Sequence, residues 1–288
     1  MSIIELNSKY GAPGRIVFRE GFAGYPNAVI ANKYGSAEIA LLGANVLSYK
    51  PTGHFPVIFR PDKKDAEYNR ADSFHGGIPV CFPQFGNRFS KELPQHGFAR
   101  KLVFEVRGTE YSDEITEVTL GLKSDEETLK LWPHEFDLEY KISISMKLNL
   151  TLTVVNKGDA PFDFSCGLHP YFRVRERDQA TLKGLPEGEL KIDRALDEII
   201  SMPEVAKHEL AILDPGLKRA FALVSTGNTR TVVWNPGPEN PLPDFSADDW
   251  RKFVCVEPVS DWPGGRTLAA GETYILAAAI QATMEGAV

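Results

Sequence analysis

Two side chains able to move protons stand in surroundings that give a charge no obvious structural use. His169 sits in CGLHPYF, between Leu168 and Pro170, and Glu257 sits in FVCVEPV. A carboxylate at the end of an apolar strand is costly unless it is paired or used. Desolvation raises its pKa toward that of a working base. A histidine in an aromatic turn bounded by glycine and proline is positioned rather than free. Taken singly, each reads as a satisfied structural polar group. Taken together they form a candidate acid/base pair, for which a bell-shaped pH dependence is expected.

A second concentration of recognition groups lies in HGGIPVCFPQFGNRFSKELPQHGFAR, residues 75–100. Its glycines and prolines rule out a continuous helix and a long central strand. Ile78, Val80, Phe82, Phe85 and Phe98 nonetheless want burial. A buried loop must satisfy its own backbone, so it takes one conformation. Into it the chain places Gln84, Asn87, Gln95, His96 and Arg100. Apolar walls with a few convergent polar groups describe a small-molecule pocket; a proline-rich core crossing with ordinary surface polars is the alternative.

Other chemistries find less support. The six histidines show no HxH or HxxxH spacing, and Cys81, Cys166 and Cys255 form no CxxC pair. Metal-ligand spacing is therefore missing, and the cysteines read as buried thiols of a reducing compartment. No GxGxxG or Walker sequence signals a nucleotide loop. Ser165 and Cys166 lie near His169 without a GxSxG elbow. His134 and His208 read as surface or edge residues.

The elements that must position these groups are strands. Ten apolar residues occupy the even positions from Phe136 to Val154 with polar residues between them. Sustained period two marks a long antiparallel strand or a bent hairpin with one wet face. Further strands are expected over 15–50, 101–124, 219–234, 252–260 and 272–284, with irregular chain over 183–215. The best helix candidate is short: Ser246 with Asp249 three residues later, ahead of Trp250. The coarse expectation is one all-β domain over 1–288, a large antiparallel sandwich. A net charge of −7 argues against nucleic acid and anionic membranes as partners. No signal peptide or apolar span is visible, so a cytoplasmic protein, monomeric or weakly dimeric, is expected.

The motifs GGIPVCFPQFG, LPQHGFAR, GLHPYF, WNP and VCVEP, in that order, closely resemble the aldose 1-epimerase superfamily, and within it the hexose-6-phosphate mutarotases. The resemblance runs from roughly GANVLSY to the final strands. It implies a galactose-mutarotase-like β-supersandwich that interconverts the α and β anomers of an aldose without a cofactor or a metal. It also implies that His169 is the general acid and Glu257 the general base. His75, Gln95, His96, Arg100 and Asp193 then become substrate-binding positions, and the partner is a sugar or sugar phosphate. His75 stands where the family usually places a phosphate-binding arginine. Arg60, Lys63, Lys64, Arg70 and Arg88 are nearby candidates for a second cation. A free aldose, a non-catalytic carbohydrate-binding protein and a metal-dependent sugar isomerase are the competing readings.

Overall fold

The alternation between Phe136 and Val154 becomes a hairpin. In the computed structural model, which describes residues 1–62, 74–87, 90–260 and 265–284, strand Phe136–Ile144 turns back as strand Leu148–Asn156. Even-numbered residues on both strands are buried, and Met146 at the tip is exposed. Ile144 pairs with Leu148, which leaves an odd loop of Ser145, Met146 and Lys147. Even residues therefore face even residues across the turn, and the sequence alternation passes through it unbroken.

This hairpin belongs to a nine-stranded sheet. Glu105–Tyr111 and Thr116–Lys123 extend it on one side. Thr273–Met284, Arg219–Thr226, His208–Asp214, Thr181–Leu185 and Gly188–Lys191 extend it on the other. A six-stranded sheet runs Leu196–Ser201, Arg230–Asn235, Phe253–Ser260, Cys166–Leu168, Val80–Cys81, and Tyr171–Arg173 also pairs with Phe253–Ser260. A four-stranded sheet of residues 16–51 and the pair Phe162–Phe164 with Arg266–Leu268 complete the strands among the described residues. One apolar cluster carries Leu152 and Leu223 of the large sheet together with Leu168, Val254 and Val256 of the six-stranded one. The expected antiparallel sandwich is thus observed.

Along Phe253–Ser260 the even residues 254 and 256 point into that core. Phe253 and Cys255 join a separate aromatic cluster on the opposite face, and Glu257 follows them there by strand alternation. That opposite face carries the site.

Two expectations are corrected. Residues 183–215 are not irregular: they contribute parts of four strands, Thr181–Leu185, Gly188–Lys191, Leu196–Ser201 and His208–Asp214. Gly188–Lys191 and Leu196–Ser201 lie at sheet edges and are exposed on both faces, so they carry no period-two pattern. The helix expected after Ser246 is a single 3-10 turn, Asp249–Lys252. Half of its capping box forms, with the Ser246 amide donating to Asp249 Oδ2 at 2.9 Å. His208 is also buried rather than at the surface, with Nε2 3.2 Å from the Asn228 carbonyl.

Candidate active site

The register of one strand pairing brings the two proton-transfer groups together. Gly167 pairs with Val259, and Tyr171 pairs with Cys255. Both strands hold the same register, so His169 falls directly across from Glu257. Pro170 has no N–H to continue the ladder, and the chain there is free to leave the sheet at the turn. The pair meets at 3.4 Å, His169 Nε2 to Glu257 Oε2, with side-chain exposures of 9% and 1%. His169 is held flat against Tyr171, centroids 4.9 Å apart and planes 10° from parallel. Its backbone N–H donates to the Pro79 carbonyl at 3.1 Å.

Both groups keep a buried polar atom with no hydrogen-bond partner, His169 Nδ1 and Glu257 Oε2. Burial pushes the Glu257 carboxyl well above its ordinary value, and the charge of Asp197 adds to that. Burial pushes His169 well below its ordinary value, helped by His96 and Arg100. Together the shifts favour an uncharged pair holding one proton. That proton is lost only above the ordinary carboxylate range, and a second is gained only below the ordinary histidine value. With two protons no base is left, and with none no acid is left. The expected kcat/KM profile is a bell whose acid limb lies below about 6.5, the reference value for histidine. An acid limb at that value would show instead that His169 titrates as a solvated imidazole.

The cavity above the pair has a volume of about 310 Å³ and is lined in part by His75, Gln95, His96, Arg100, Asp197 and Trp234. Phe85 and Asn87 of the glycine-rich stretch also reach it. Gly97 lets that stretch close on itself: at φ +72° its missing Cβ would lie 2.0 Å from the Phe82 carbonyl oxygen. His96 beside it is also left-handed, at φ +61°. Its amide donates to the Gly86 carbonyl at 2.6 Å, and its Nδ1 accepts from the Gly86 N–H at 3.2 Å. That acceptor role leaves the ring proton on Nε2. Burial and the Arg100 charge push its pKa down to about 3, so His96 is a neutral donor at any ordinary pH.

Arg100 donates from Nη2 to the Gln95 carbonyl at 2.8 Å, while its Nε is buried without an acceptor. His75 is clamped by Asp244: the His75 amide donates to Oδ2 at 2.9 Å, and Nδ1 lies 2.7 Å from Oδ1. Gln84 is spent inside the loop, bonded to the Leu93 and Pro94 carbonyls and the Ser90 amide.

Five of the six proton-transfer and binding positions outside Asp193 therefore share one wall with the sixth: His75, Gln95, His96, Arg100, His169 and Glu257 all line the cavity. Asp193 does not. It is half-exposed and lies 3.5 Å from Arg194. Asp197, one strand pairing away opposite Trp234, supplies the acid instead. Asp197 and Asp244 are the acidic positions that sequence reasoning missed. Arg60 is not among the lining residues, and Lys63, Lys64, Arg70 and Arg88 lie outside the described residues. A ring nitrogen of His169, the Cys255 sulfur and a Glu257 oxygen lie within 4.8 Å of one another. These are donor types that suit zinc, brought together by the fold without any ligand spacing in the sequence.

Residues 27–207 match the family model described as aldose 1-epimerase. A protein of Escherichia coli strain K12 named "Putative glucose-6-phosphate 1-epimerase" is 29% identical over 246 residues, covering 80% of this chain and 81% of its own. A protein of Cenchrus ciliaris with the same name is 29% identical, covering 78% and 74%. The crystal structure of a "putative mutarotase" from Salmonella typhimurium superposes with a TM-score of 0.85 at 26% identity, covering 96% of both chains. The galactose 1-epimerase of Lactobacillus acidophilus shares the fold, with a TM-score of 0.71 at 14% identity, covering 94% of this chain and 98% of that one. With its model matched over more than half the sequence, the chain belongs to the aldose 1-epimerase family, and it is an isomerase of the mutarotase type.

Proposed function

We propose that the protein interconverts the α and β anomers of an aldohexose 6-phosphate, glucose 6-phosphate being the representative substrate, with His169 as acid and Glu257 as base. The observation that carries the chemistry is the buried cross-strand pair at 3.4 Å, which holds one proton. Glu257 takes the proton of the anomeric hydroxyl as imidazolium His169 donates to the ring oxygen. The bond between C1 and the ring oxygen breaks, and C1 becomes an aldehyde. The pair is left as carboxylic acid and neutral imidazole, the uncharged state that burial favours. Rotation about the C1–C2 bond presents the other face of the carbonyl, and closure runs the transfers backward. Atoms and protons balance over the cycle. His96, a neutral donor through Nε2, is placed to hold a substrate oxygen, and Asp197 to accept from a hydroxyl.

The phosphorylated substrate is supported by Arg100, a cavity arginine whose Nε lacks an acceptor, and by the names of the relatives. An unmodified aldose is the second reading. It is favoured by the Asp244 carboxylate on His75, which offsets positive charge where the family usually has arginine. Anomer exchange followed by NMR in EDTA, with glucose and glucose 6-phosphate in parallel, tests both. Higher efficiency on the phosphate is expected. Equal or better efficiency on glucose would leave a general aldose 1-epimerase, and no exchange on either would leave a carbohydrate-binding protein.

A further inference from the structure

Two residues along the strand from Tyr171, Arg173 faces a second cavity of about 710 Å³. Four cations line it: Arg173, Arg175, Arg251 and Lys252. The acids beside them are Glu176 and Asp248. Arg251 reaches Asp248 at 3.6 Å, and Lys252 reaches Asp249 at 2.7 Å. Arg173 and Arg175 pair with no acid among the described residues. In a chain of net charge −7, two uncompensated guanidinium groups in one concavity call for an anion.

Arg173 makes the stronger case. Its Nε is buried without an acceptor, and its guanidinium lies 5.2 Å above the Phe59 ring. Burial lowers its pKa from the ordinary arginine value, although Asp62 and Asp249 pull the other way. A half-buried cation without a counter-ion is costly, and a bound anion would remove that cost. The floor beneath is built rather than loose. Arg219, fully buried and paired with Asp214 at 3.1 Å, donates to the carbonyls of Phe55, Pro56 and Arg173. Those bonds tie the cavity's apolar rim to the end of its strand. On that rim the Phe55 ring is 63% exposed, a flat apolar surface beside the cations.

We propose that this cavity binds a phosphate monoester, its dianion against Arg173 and Arg175 and its organic body on Phe55. Two planar forks match the oxygens of a dianion, and bidentate contact fixes its orientation. The ring explains why an ester suits the site better than free phosphate. The proposal is independent of the reaction at His169 and Glu257, because no lining residue is shared between the two cavities.

The test is calorimetric titration with phenyl phosphate and with inorganic phosphate in an Arg100→Gln background, which disables anion binding in the first cavity. Phenyl phosphate should still bind, more tightly than inorganic phosphate. Arg175→Ala, at an exposed position, should weaken it at least tenfold while glucose anomer exchange by the otherwise unsubstituted enzyme stays unchanged. Phe55→Ala should bring phenyl phosphate down to the level of inorganic phosphate. Absence of binding in the Arg100→Gln background, or an Arg175→Ala titration equal to its parent, would overturn the proposal.

Discussion

Glu257→Gln and His169→Asn each lower the catalysed rate of anomer exchange by about 10²–10⁴-fold, the usual contribution of a positioned proton-transfer group, while the protein remains folded. The structure separates these two outcomes because the atoms lost are structurally idle. Glu257 Oε2 and His169 Nδ1 have no hydrogen-bond partner, so neither replacement orphans a group that the fold relies on. Glutamine matches the shape of the glutamate in its fully buried position. The double variant is expected to be little worse than either single one, since a shared proton makes the two groups act as a unit. Circular dichroism checks the fold, and exchange NMR checks the rate. Near-wild-type exchange in either folded variant would remove both residues from the mechanism.

The second large effect concerns substrate charge. Arg100→Gln is expected to reduce kcat/KM for glucose 6-phosphate by about ten- to a hundredfold, from the roughly 1.5–3 kcal/mol of a hydrogen bond to a charged group. Glucose should suffer less. The companion change is His75→Arg, which installs a cation that keeps its charge across the working pH range. Asp244 already grips that position through two contacts, so part of the new charge will be spent on it. Affinity for the phosphate should rise at about pH 8, and Asp244→Asn added to His75→Arg should raise it further. If Arg100→Gln affects glucose and glucose 6-phosphate equally, Arg100 binds the sugar ring and not a phosphate.

The sequence carries the parts of this site whose environments differ sharply from their neighbours. Glu257 stands out because its strand is otherwise apolar, and the wall formed by residues 75–100 because its apolar residues refuse regular structure. The hairpin of Phe136–Asn156 is legible because one face is buried throughout. Asp197 is not legible for the converse reason. Its edge strand is exposed on both faces, so nothing in ALDEII tells a cavity-facing acid from a solvated one, and Asp193 four residues earlier is as good a guess. Asp244 is hidden differently. Its partner His75 lies 169 residues away, and a proline-rich loop has no period from which to infer direction. Helix Ile3–Tyr10 was there to be read, since Ser2 and Glu5 form a complete capping box.

The strand that carries Glu257 is the last of its sheet to be reached along the chain, and it lies between the strands that precede it. Arg230–Asn235 flanks it on one side, and Cys166–Leu168 and Tyr171–Arg173 on the other. During synthesis or refolding the sheet therefore stands divided until this insertion occurs, and acid and base do not meet before it. The insertion must also be in register, because a slip of one residue would turn Glu257 into the core and Val256 toward the cavity. Recovered activity would thus time the closure of this sheet, and should lag behind any spectroscopic signal that the early hairpin alone can produce.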